Sequence, residues 1–224
     1  MASAEVLVGA GDCVFLLHGI SRSSYLMNGL ADNFHEAGYT TLNIDYPSTT
    51  YDLETLTNMT LGAYVPEFCE GKLVNFVGHS MGGIITRNYL ASNEVANLGR
   101  VVMIASPNQG SEVADFLNKY WVTRMFFGPA LGEIGTGSAS LVLGLPEPDY
   151  EVGVMAATRS NNPVLSRVLP GADDSRVSVE STKLDSMTDY LEVAATHSFV
   201  TFRPDVQEAA LLFIEFGEFE ISHR

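Results

Sequence analysis

Short runs of consecutive apolar residues recur along the chain, and most are separated by stretches with helical spacing. The runs contain β-branched residues and are too short for helices, which is typical of strands buried on both faces of a parallel sheet. In the first half of the chain they cover residues 13–17, 40–44, 73–77 and 100–105. Residues 150–157 and 191–195 continue the series, and residues 6–8 are predicted to form an edge strand.

Several stretches between these runs carry apolar residues three or four positions apart, which predicts amphipathic helices. The first spans about residues 25–37 and ends at Gly38, a residue that often follows a helix because it tolerates a left-handed backbone. The second, over residues 53–61, is predicted to be interrupted near Gly62 and Pro66. Another helix follows the run at 73–77, and a last one covers residues 206–214.

The order of these elements predicts the fold class. Strands and helices alternate up to residue 105, which favours an α/β fold with a mostly parallel, doubly wound sheet flanked by helices. A length of 224 residues suits one domain, so residues 1–224 are expected to form a single α/β domain. Ligands of such sheets bind beyond the carboxyl ends of the strands, where the sequence places His18, Asp45, Ser80 and Ser106.

Residues 111–145 interrupt this alternation. They contain a short amphipathic helix, an aromatic cluster over residues 120–127 and a glycine-rich stretch over residues 132–138. Because the segment lies between two sheet strands, it is expected to cover the rim as a small cap or lid. Its aromatic side chains either line a substrate pocket or pack on the core as part of an ordinary surface excursion.

The sequence Gly78-His79-Ser80-Met81-Gly82 lies between a predicted strand and a predicted helix. A Gly-x-Ser-x-Gly stretch in that context predicts a sharp turn with the serine exposed at its tip. The serine backbone is strained there, and the two glycines remove Cβ atoms that would collide with the strand or the helix. Ser80 is therefore the candidate nucleophile.

A serine hydroxyl needs a general base, and the chain has five histidines. His197 follows the last predicted strand, which is where the chain order serine, acid, histidine places the base. His18 is assigned to an oxyanion loop, and His79 lies in the turn itself with its ring directed away from the serine hydroxyl. His35 lies on a predicted helix and His223 in the terminal tail.

A carboxylate must orient this base. Asp173 and Asp174 lie in a loop between the last two predicted strands, from which either can reach the far ring nitrogen of His197. Position alone leaves both open, and either one can instead cap the following turn. The weaker candidates lie near the last strand or precede the serine in the chain: Asp185, Asp189 and Asp45.

Two backbone N–H groups are expected to bind the developing oxyanion. One belongs to Met81, which follows the nucleophile directly, and the other to Ile20, in the loop after the strand at 13–17. Such a donor typically stabilises the transition state by about 3–4 kcal/mol.

Three pieces of sequence, Leu16-Leu17-His18-Gly19-Ile20, Gly78–Gly82 and Asp174-Ser175-Arg176-Val177, resemble the lipase/esterase branch of the α/β-hydrolases. The first two are similar to those of small bacterial lipases, whose oxyanion donors match Ile20 and Met81. The third resembles their Asp-Gly-x-Val acid loop, with Ser175 in place of the glycine, and this favours Asp174 over Asp173. The resemblance covers nearly the whole chain and implies an α/β-hydrolase fold with a triad of Ser80, Asp174 and His197.

These candidates predict a serine ester hydrolase that works through an acyl-enzyme and needs no metal or organic cofactor. The aromatic residues and small size of the cap favour small to medium apolar acyl esters as substrates. The same triad would serve an acyltransferase, a thioesterase or an amidase, because only the second nucleophile differs. The alternative from another class, a non-catalytic binding protein on this fold, predicts a missing triad member.

The charge balance argues against several classes of partner. The chain has 12 Lys and Arg against 27 Asp and Glu, a formal net charge of −15. Phosphate binding needs clustered cations, so neither nucleic acid nor an anionic membrane surface is expected as a partner. No apolar run approaches the roughly 18 residues of a membrane span, so stable membrane insertion is not expected. The oligomeric state is left open.

Two cysteines, Cys13 and Cys69, do not make a disulfide framework. Cys13 begins an apolar run and is expected to be a buried free thiol, whereas Cys69 is either exposed or paired. The first residues lack the basic and apolar regions of a secretory signal. A cytoplasmic location is therefore expected, with a trimmed or processed secreted form left open.

Overall fold

The computed structural model describes residues 1–138 and 140–220. In this part of the chain seven strands form one sheet, and all except the first run parallel to their neighbours. The strands are β1 (Ser3–Leu7), β2 (Cys13–Leu17), β3 (Thr40–Asp45), β4 (Val74–His79), β5 (Leu98–Ile104), β6 (Val152–Ala157) and β7 (Asp189–Val193). They lie side by side in the order β1-β3-β2-β4-β5-β6-β7, with β1 antiparallel to β3 at the edge.

Helices cover both faces of this sheet. They are α1 (Asn28–Glu36), α2 (Leu53–Met59), α3 (Leu61–Tyr64), α4 (Met81–Ser92), α5 (Glu112–Asn118), α6 (Trp121–Phe127), α7 (Ala130–Glu133), α8 (Pro163–Ser166), α9 (Val179–Thr182) and α10 (Pro204–Phe216). None of the helices in residues 1–138 and 140–220 combines the length and the apolar character needed to cross a membrane. The architecture confirms the predicted α/β class with a mostly parallel, doubly wound sheet.

The apolar runs form strands because alternate side chains are buried on opposite faces. Phe15 and Leu17 of β2 pack into the core beneath α2 and α4, whereas Val14 and Leu16 pack into the core beneath α1 and α10. All four side chains are fully buried. Burial of each such side chain contributes about 1.5–3 kcal/mol, so the two cores fix the sheet on which the rim loops are mounted.

The helix boundaries follow the sequence with one difference. A 3₁₀ turn over Ser24–Met27 leads into α1, and Gly38 adopts the left-handed backbone expected after the helix, at φ +97°. The second predicted helix ends before Pro66 as expected, but its interruption lies at Thr60 and not at Gly62. The carbonyl of Leu56 accepts both the Thr60 N–H at 3.0 Å and the Thr60 hydroxyl at 2.6 Å where the helix breaks.

The segment at residues 111–145 lies between β5 and β6 and contains α5, α6 and α7. The Ser111 hydroxyl accepts the N–H of Ala114 and caps the start of α5. The helix α6 buries none of its side chains, and Trp121 and Phe126 are 68% and 67% exposed. These two aromatic residues therefore do not pack on the core.

The structure corrects the expectation of a free thiol at Cys13. Cys13 is buried as predicted, but its sulfur is bonded to that of Cys69, with 6.0 Å between the Cα atoms. The two cysteines come together because Cys13 is the first residue of β2 and Cys69 precedes β4, the strand that lies beside β2. Cys69 adopts a left-handed backbone in a turn closed by a hydrogen bond from the Lys72 N–H to its carbonyl. That turn brings Cys69 back to the start of β2.

We expect the Cys13–Cys69 disulfide to contribute about 3–4 kcal/mol to the free energy of unfolding, because it closes a long loop in the unfolded chain. The sequence separation of the two cysteines is 56 residues. Urea unfolding of the oxidised protein, the reduced protein and the Cys13→Ala/Cys69→Ala variant measures this difference. Iodoacetamide that alkylates both cysteines of the unfolded protein without prior reduction would contradict the bond.

Candidate active site

Ser80 lies at the turn between β4 and α4, as the sequence predicts. Its backbone adopts φ +55° and ψ −122°, a conformation that costs a non-glycine residue roughly 1–3 kcal/mol. Two hydrogen bonds hold it: the Ser80 N–H donates to the carbonyl of Ile104 at 2.8 Å, and the Ser80 carbonyl accepts the N–H of Gly83 at 3.1 Å. The turn is therefore fixed by β5 on one side and by α4 on the other.

Glycines allow the backbones around this turn to approach one another. A Cβ atom on Gly78 would overlap the backbone of Gly83, and one on Gly82 would overlap the carbonyl of Leu17 in β2. A Cβ atom on Gly19 would lie 3.0 Å from the Cβ of Ser80. The loop after β2 therefore packs directly against the serine.

His197 lies beside Ser80, in the loop that follows β7. Its Nε2 atom is 3.0 Å from the Ser80 hydroxyl oxygen, and its Nδ1 atom is 2.7 Å from a carboxylate oxygen of Asp174. Because the carboxylate accepts from Nδ1–H, Nε2 is left as the acceptor for the serine proton. The structure thus brings together the three residues that the sequence nominated as nucleophile, base and acid.

Hydrogen bonds of the acid loop distinguish the two neighbouring aspartates. The second carboxylate oxygen of Asp174 accepts the backbone N–H groups of Arg176 and Val177, at 2.9 and 2.8 Å. The carboxylate of Asp173 accepts instead from the Ser175 N–H, at 2.7 Å, and from the hydroxyl of Ser166. Asp173 therefore forms the turn, while Asp174 faces the histidine.

Ser175 stands where the resemblance to bacterial lipases implies a glycine, and its backbone conformation explains that preference for glycine. Its φ of +77° lies in the left-handed region that glycine adopts most easily. The hydroxyl offsets part of the strain, because it accepts the N–H groups of Asn161 and Asn162 at 2.8 and 2.9 Å. The acid loop is thereby attached to the loop that follows β6.

The two predicted oxyanion donors belong to the loop after β2 and to the start of α4. Ile20 lines the pocket above the serine, and Met81 begins α4. Within residues 1–138 and 140–220, neither backbone N–H donates a hydrogen bond to another protein group. Both N–H groups are consequently available to an acceptor outside this part of the protein.

His18 shapes the loop that carries Ile20, and the sequence did not indicate how. Its Nδ1–H donates to the carbonyl of Gly19 at 2.8 Å, and its ring stacks on Tyr46 at a centroid distance of 4.1 Å. The Tyr46 hydroxyl donates to the His18 carbonyl, and the Tyr46 N–H donates to His18 Nε2 at 3.3 Å. Burial lowers the pKa of His18, which favours the neutral ring that this arrangement requires.

His79 holds the loop of His197 in a way that sequence reasoning missed. It lines the same pocket as Ser80, and its Nε2–H donates to the backbone carbonyl of His197 at 2.9 Å rather than to the Ser80 hydroxyl. Burial holds the pKa of His79 well below its ordinary value, and the nearby His197 charge lowers it further. His35 lies on α1, and His223 lies outside the described residues.

A pocket of about 600 Å³, including its open mouth, contains Ser80 and His197. Most of its apolar lining comes from the segment at residues 111–145, which contributes Val113, Ala114, Leu117, Phe127, Leu131 and Ile134. Two arginines, Arg22 and Arg176, also line it.

Comparisons with known proteins agree with this architecture. A sequence profile described as the Alpha/beta hydrolase family matches residues 14–210, whereas a comparison with curated protein sequences finds no match. The fold is similar to that of the mature lipase BlEst2 of Bacillus licheniformis, with a TM-score of 0.72 and 19% identity over 97% of this chain and 98% of that one.

Two further solved structures are similar over nearly their whole length. The esterase EaEST of Exiguobacterium antarcticum gives a TM-score of 0.64 and 15% identity, covering 96% of this chain and 95% of its own. A hydrolase of Pseudomonas aeruginosa PA01 gives 0.62 and 14%, covering 96% and 94%. At these identities the likeness shows a shared fold. Together with the family profile, which spans most of the sequence, it establishes that the chain belongs to the alpha/beta hydrolase family.

Proposed function

We propose that this protein is a serine ester hydrolase of the carboxylesterase or lipase type. The observation that carries the proposal is the continuous hydrogen-bonded series from Asp174 through His197 to Ser80, with distances of 2.7 and 3.0 Å. A nucleophile, a base and an orienting acid in this geometry are the parts that acyl transfer requires. The series lies at a pocket with an apolar wall, where an acyl group can be held.

In the first half of the proposed reaction, the Ser80 oxygen attacks the ester carbonyl carbon while His197 Nε2 takes the serine proton. The Asp174 carboxylate stabilises the imidazolium that forms. The negative charge that develops on the carbonyl oxygen is bound by the N–H groups of Ile20 and Met81. The ester carbon–oxygen bond then breaks, His197 gives its proton to the leaving alcohol oxygen, and an acyl-Ser80 ester remains.

In the second half, water attacks the acyl-enzyme. His197 takes a proton from that water, the same two N–H groups bind the oxyanion, and the proton returns to the Ser80 oxygen as the carboxylic acid leaves. Every proton in this cycle is carried by His197. The residues described here supply each role without a metal or an organic cofactor.

The proposed substrates are esters with small to medium apolar acyl groups. Six apolar residues from residues 111–145, Leu117 and Phe127 among them, line the pocket in which the acyl group would be held. Burial of each methylene of the acyl chain against them contributes about 0.8 kcal/mol, until the chain reaches the open mouth. The segment thereby acts as the substrate-selecting cap.

The Cys13–Cys69 disulfide bears on the compartment in which this reaction takes place. Disulfides persist in oxidising environments such as the bacterial periplasm or the cell exterior, and they are rare in cytosolic proteins. The cytoplasmic location expected from the sequence remains a prediction. The disulfide favours the processed secreted form that the sequence left open beside it.

We expect Ser80→Ala to lower kcat for p-nitrophenyl butyrate by roughly 10³-fold or more, because the acyl-enzyme can no longer form. A fluorophosphonate probe should label the unaltered protein at Ser80 and leave the variant unlabelled. Ser92→Ala, at the exposed end of the same helix, serves as the matched control and should retain full activity. A Ser80→Ala variant that cleaves the ester at the rate of the unaltered protein would exclude the proposed mechanism.

Asp174→Asn should lower kcat by about 10³- to 10⁴-fold, because an amide at this position favours the wrong histidine tautomer. The neighbouring Asp173→Asn makes the same chemical change in a residue that only forms the turn. It should cost stability but reduce kcat far less. Steady-state kinetics on both variants, with circular dichroism to verify folding, separates the two roles. Equal losses of kcat in two folded variants would contradict the assignment of Asp174.

A panel of p-nitrophenyl esters from acetyl to palmitoyl should show the highest kcat/KM for short to medium acyl groups. Leu117→Ala should shift the optimum to longer chains, because it removes part of the apolar wall. Leu143→Ala removes a 50% exposed leucine of the same segment that does not line the pocket, and it should leave the profile unchanged. A marked preference of the unaltered protein for long-chain triglycerides would contradict this view of the cap.

A further inference from the structure

Two arginine side chains face the pocket of a protein that has few cations. The chain has 12 Lys and Arg against 27 Asp and Glu, yet Arg22 and Arg176 both line the cleft that contains Ser80 and His197. Three basic residues outside the pocket form ion pairs in the described part of the chain: Arg100 with Glu151, Lys183 with Glu180 and Arg203 with Asp205. Among the residues that the structure describes, neither pocket arginine forms an ion pair with a carboxylate.

Arg176 is half-buried, and within the described ranges its guanidinium donates no hydrogen bond to the protein. Burial lowers the pKa of this guanidinium, and the charge of Arg22, which lines the same pocket, lowers it further. Asp174 is the acidic group that attracts Arg176. Its oxygens, however, already accept from His197 and from the backbone N–H groups of Arg176 and Val177.

Arg22 is held in place but keeps unused donors. Its guanidinium donates to the carbonyl of Ser21 at 3.1 Å and to the hydroxyl of Ser198 at 2.7 Å. A guanidinium has five N–H donors, so most of them stay available. The bond to Ser198 attaches Arg22 to the residue that follows His197.

We propose that Arg22 and Arg176 together bind an anionic oxygen group, a carboxylate or a phosphate, on the alcohol part of the ester. Two arginines that line the same pocket without a carboxylate partner offer donors to one anion, and each guanidinium binds carboxylate or phosphate oxygens through paired N–H groups. This inference rests on the proposed function. It narrows the substrate class from apolar esters to esters that combine an apolar acyl group with an acidic alcohol.

The loops that carry the two arginines indicate that the anionic group lies on the alcohol part of the ester. In the proposed reaction His197 must give its proton to the leaving oxygen, so the alcohol lies next to that ring. Arg22 is bonded to the residue after His197, and Arg176 lies two residues after Asp174 in the acid loop. The apolar wall for the acyl group is supplied by a different segment, at residues 111–145.

The test compares two pairs of butyryl esters. In one pair the alcohol carries a carboxylate or a neutral amide: para-butyryloxybenzoate and para-butyryloxybenzamide. In the other pair it carries a phosphate or a free hydroxyl: monobutyrylglycerol phosphate and monobutyrylglycerol. The readout is the ratio of kcat/KM for the anionic ester to that for its neutral partner, so a general loss of activity in a variant cancels.

We expect Arg22→Gln/Arg176→Gln to lower this ratio roughly tenfold or more in one of the two pairs, because charge-assisted hydrogen bonds to the anion are lost. The pair that responds identifies the natural group as a carboxylate or a phosphate. Arg22→Lys/Arg176→Lys should retain part of the preference. Arg167→Gln, an exposed arginine that does not line the pocket, removes one charge as the matched control and should leave both ratios unchanged.

The outcomes separate the inference from the proposed function. If the double glutamine variant keeps the ratios of the unaltered protein in both pairs, the arginines do not bind the substrate and the inference is overturned. The same holds if Arg167→Gln lowers the ratio as much as the double variant, because the effect then reflects overall charge. If the unaltered protein cleaves none of the four esters and is not labelled by a fluorophosphonate, the proposed function itself has failed.

Discussion

The close approach of backbone segments around Ser80 is the constraint on which the rest of the site depends. The serine sits in a left-handed conformation that only surrounding contacts can hold, and those contacts require positions without a Cβ atom at Gly78 and Gly82. Because β4 and α4 meet so tightly, the loop after β2 can pack against the serine at Gly19. A side chain at any of these glycines would separate the nucleophile from the elements that surround it.

The loops that complete the site are held by polar contacts between segments far apart in sequence. The acid loop is attached through the Ser175 hydroxyl to the loop after β6, and the histidine loop is attached through His79 to the turn itself. Each contact fixes the backbone of a loop, and the backbone in turn sets the position of the reactive side chain that the loop carries. The apolar cores beneath supply most of the stability, whereas these few hydrogen bonds supply the alignment.

The pattern of apolar residues was sufficient to predict the sheet and its mostly parallel character, and the Gly-x-Ser-x-Gly sequence predicted the turn that carries Ser80. The rule of chain order then selected His197 from five histidines. Residue position could not separate Asp173 from Asp174, because neighbouring carboxylates differ only in how one turn folds; resemblance to lipases was needed for that choice. The Cys13–Cys69 bond and the contacts of Tyr46 were missed because they depend on packing between distant segments, which spacing along the chain does not record.

The disulfide lies at the end of the sheet opposite the nucleophile, and it has a consequence for alignment at the other end. Cys13 pairs with Val74 across β2 and β4, Ile20 lies seven residues beyond Cys13, and Met81 lies seven residues beyond Val74. The two proposed oxyanion donors thus follow strands whose register is set over Cys13–Leu17 and Val74–Gly78. Slippage of this pairing by one residue would offset them by about 3.3 Å, the length of an entire hydrogen bond. The disulfide joins Cys13 to Cys69, five residues before Val74, and therefore limits such slippage to what the short turn between Cys69 and Val74 allows.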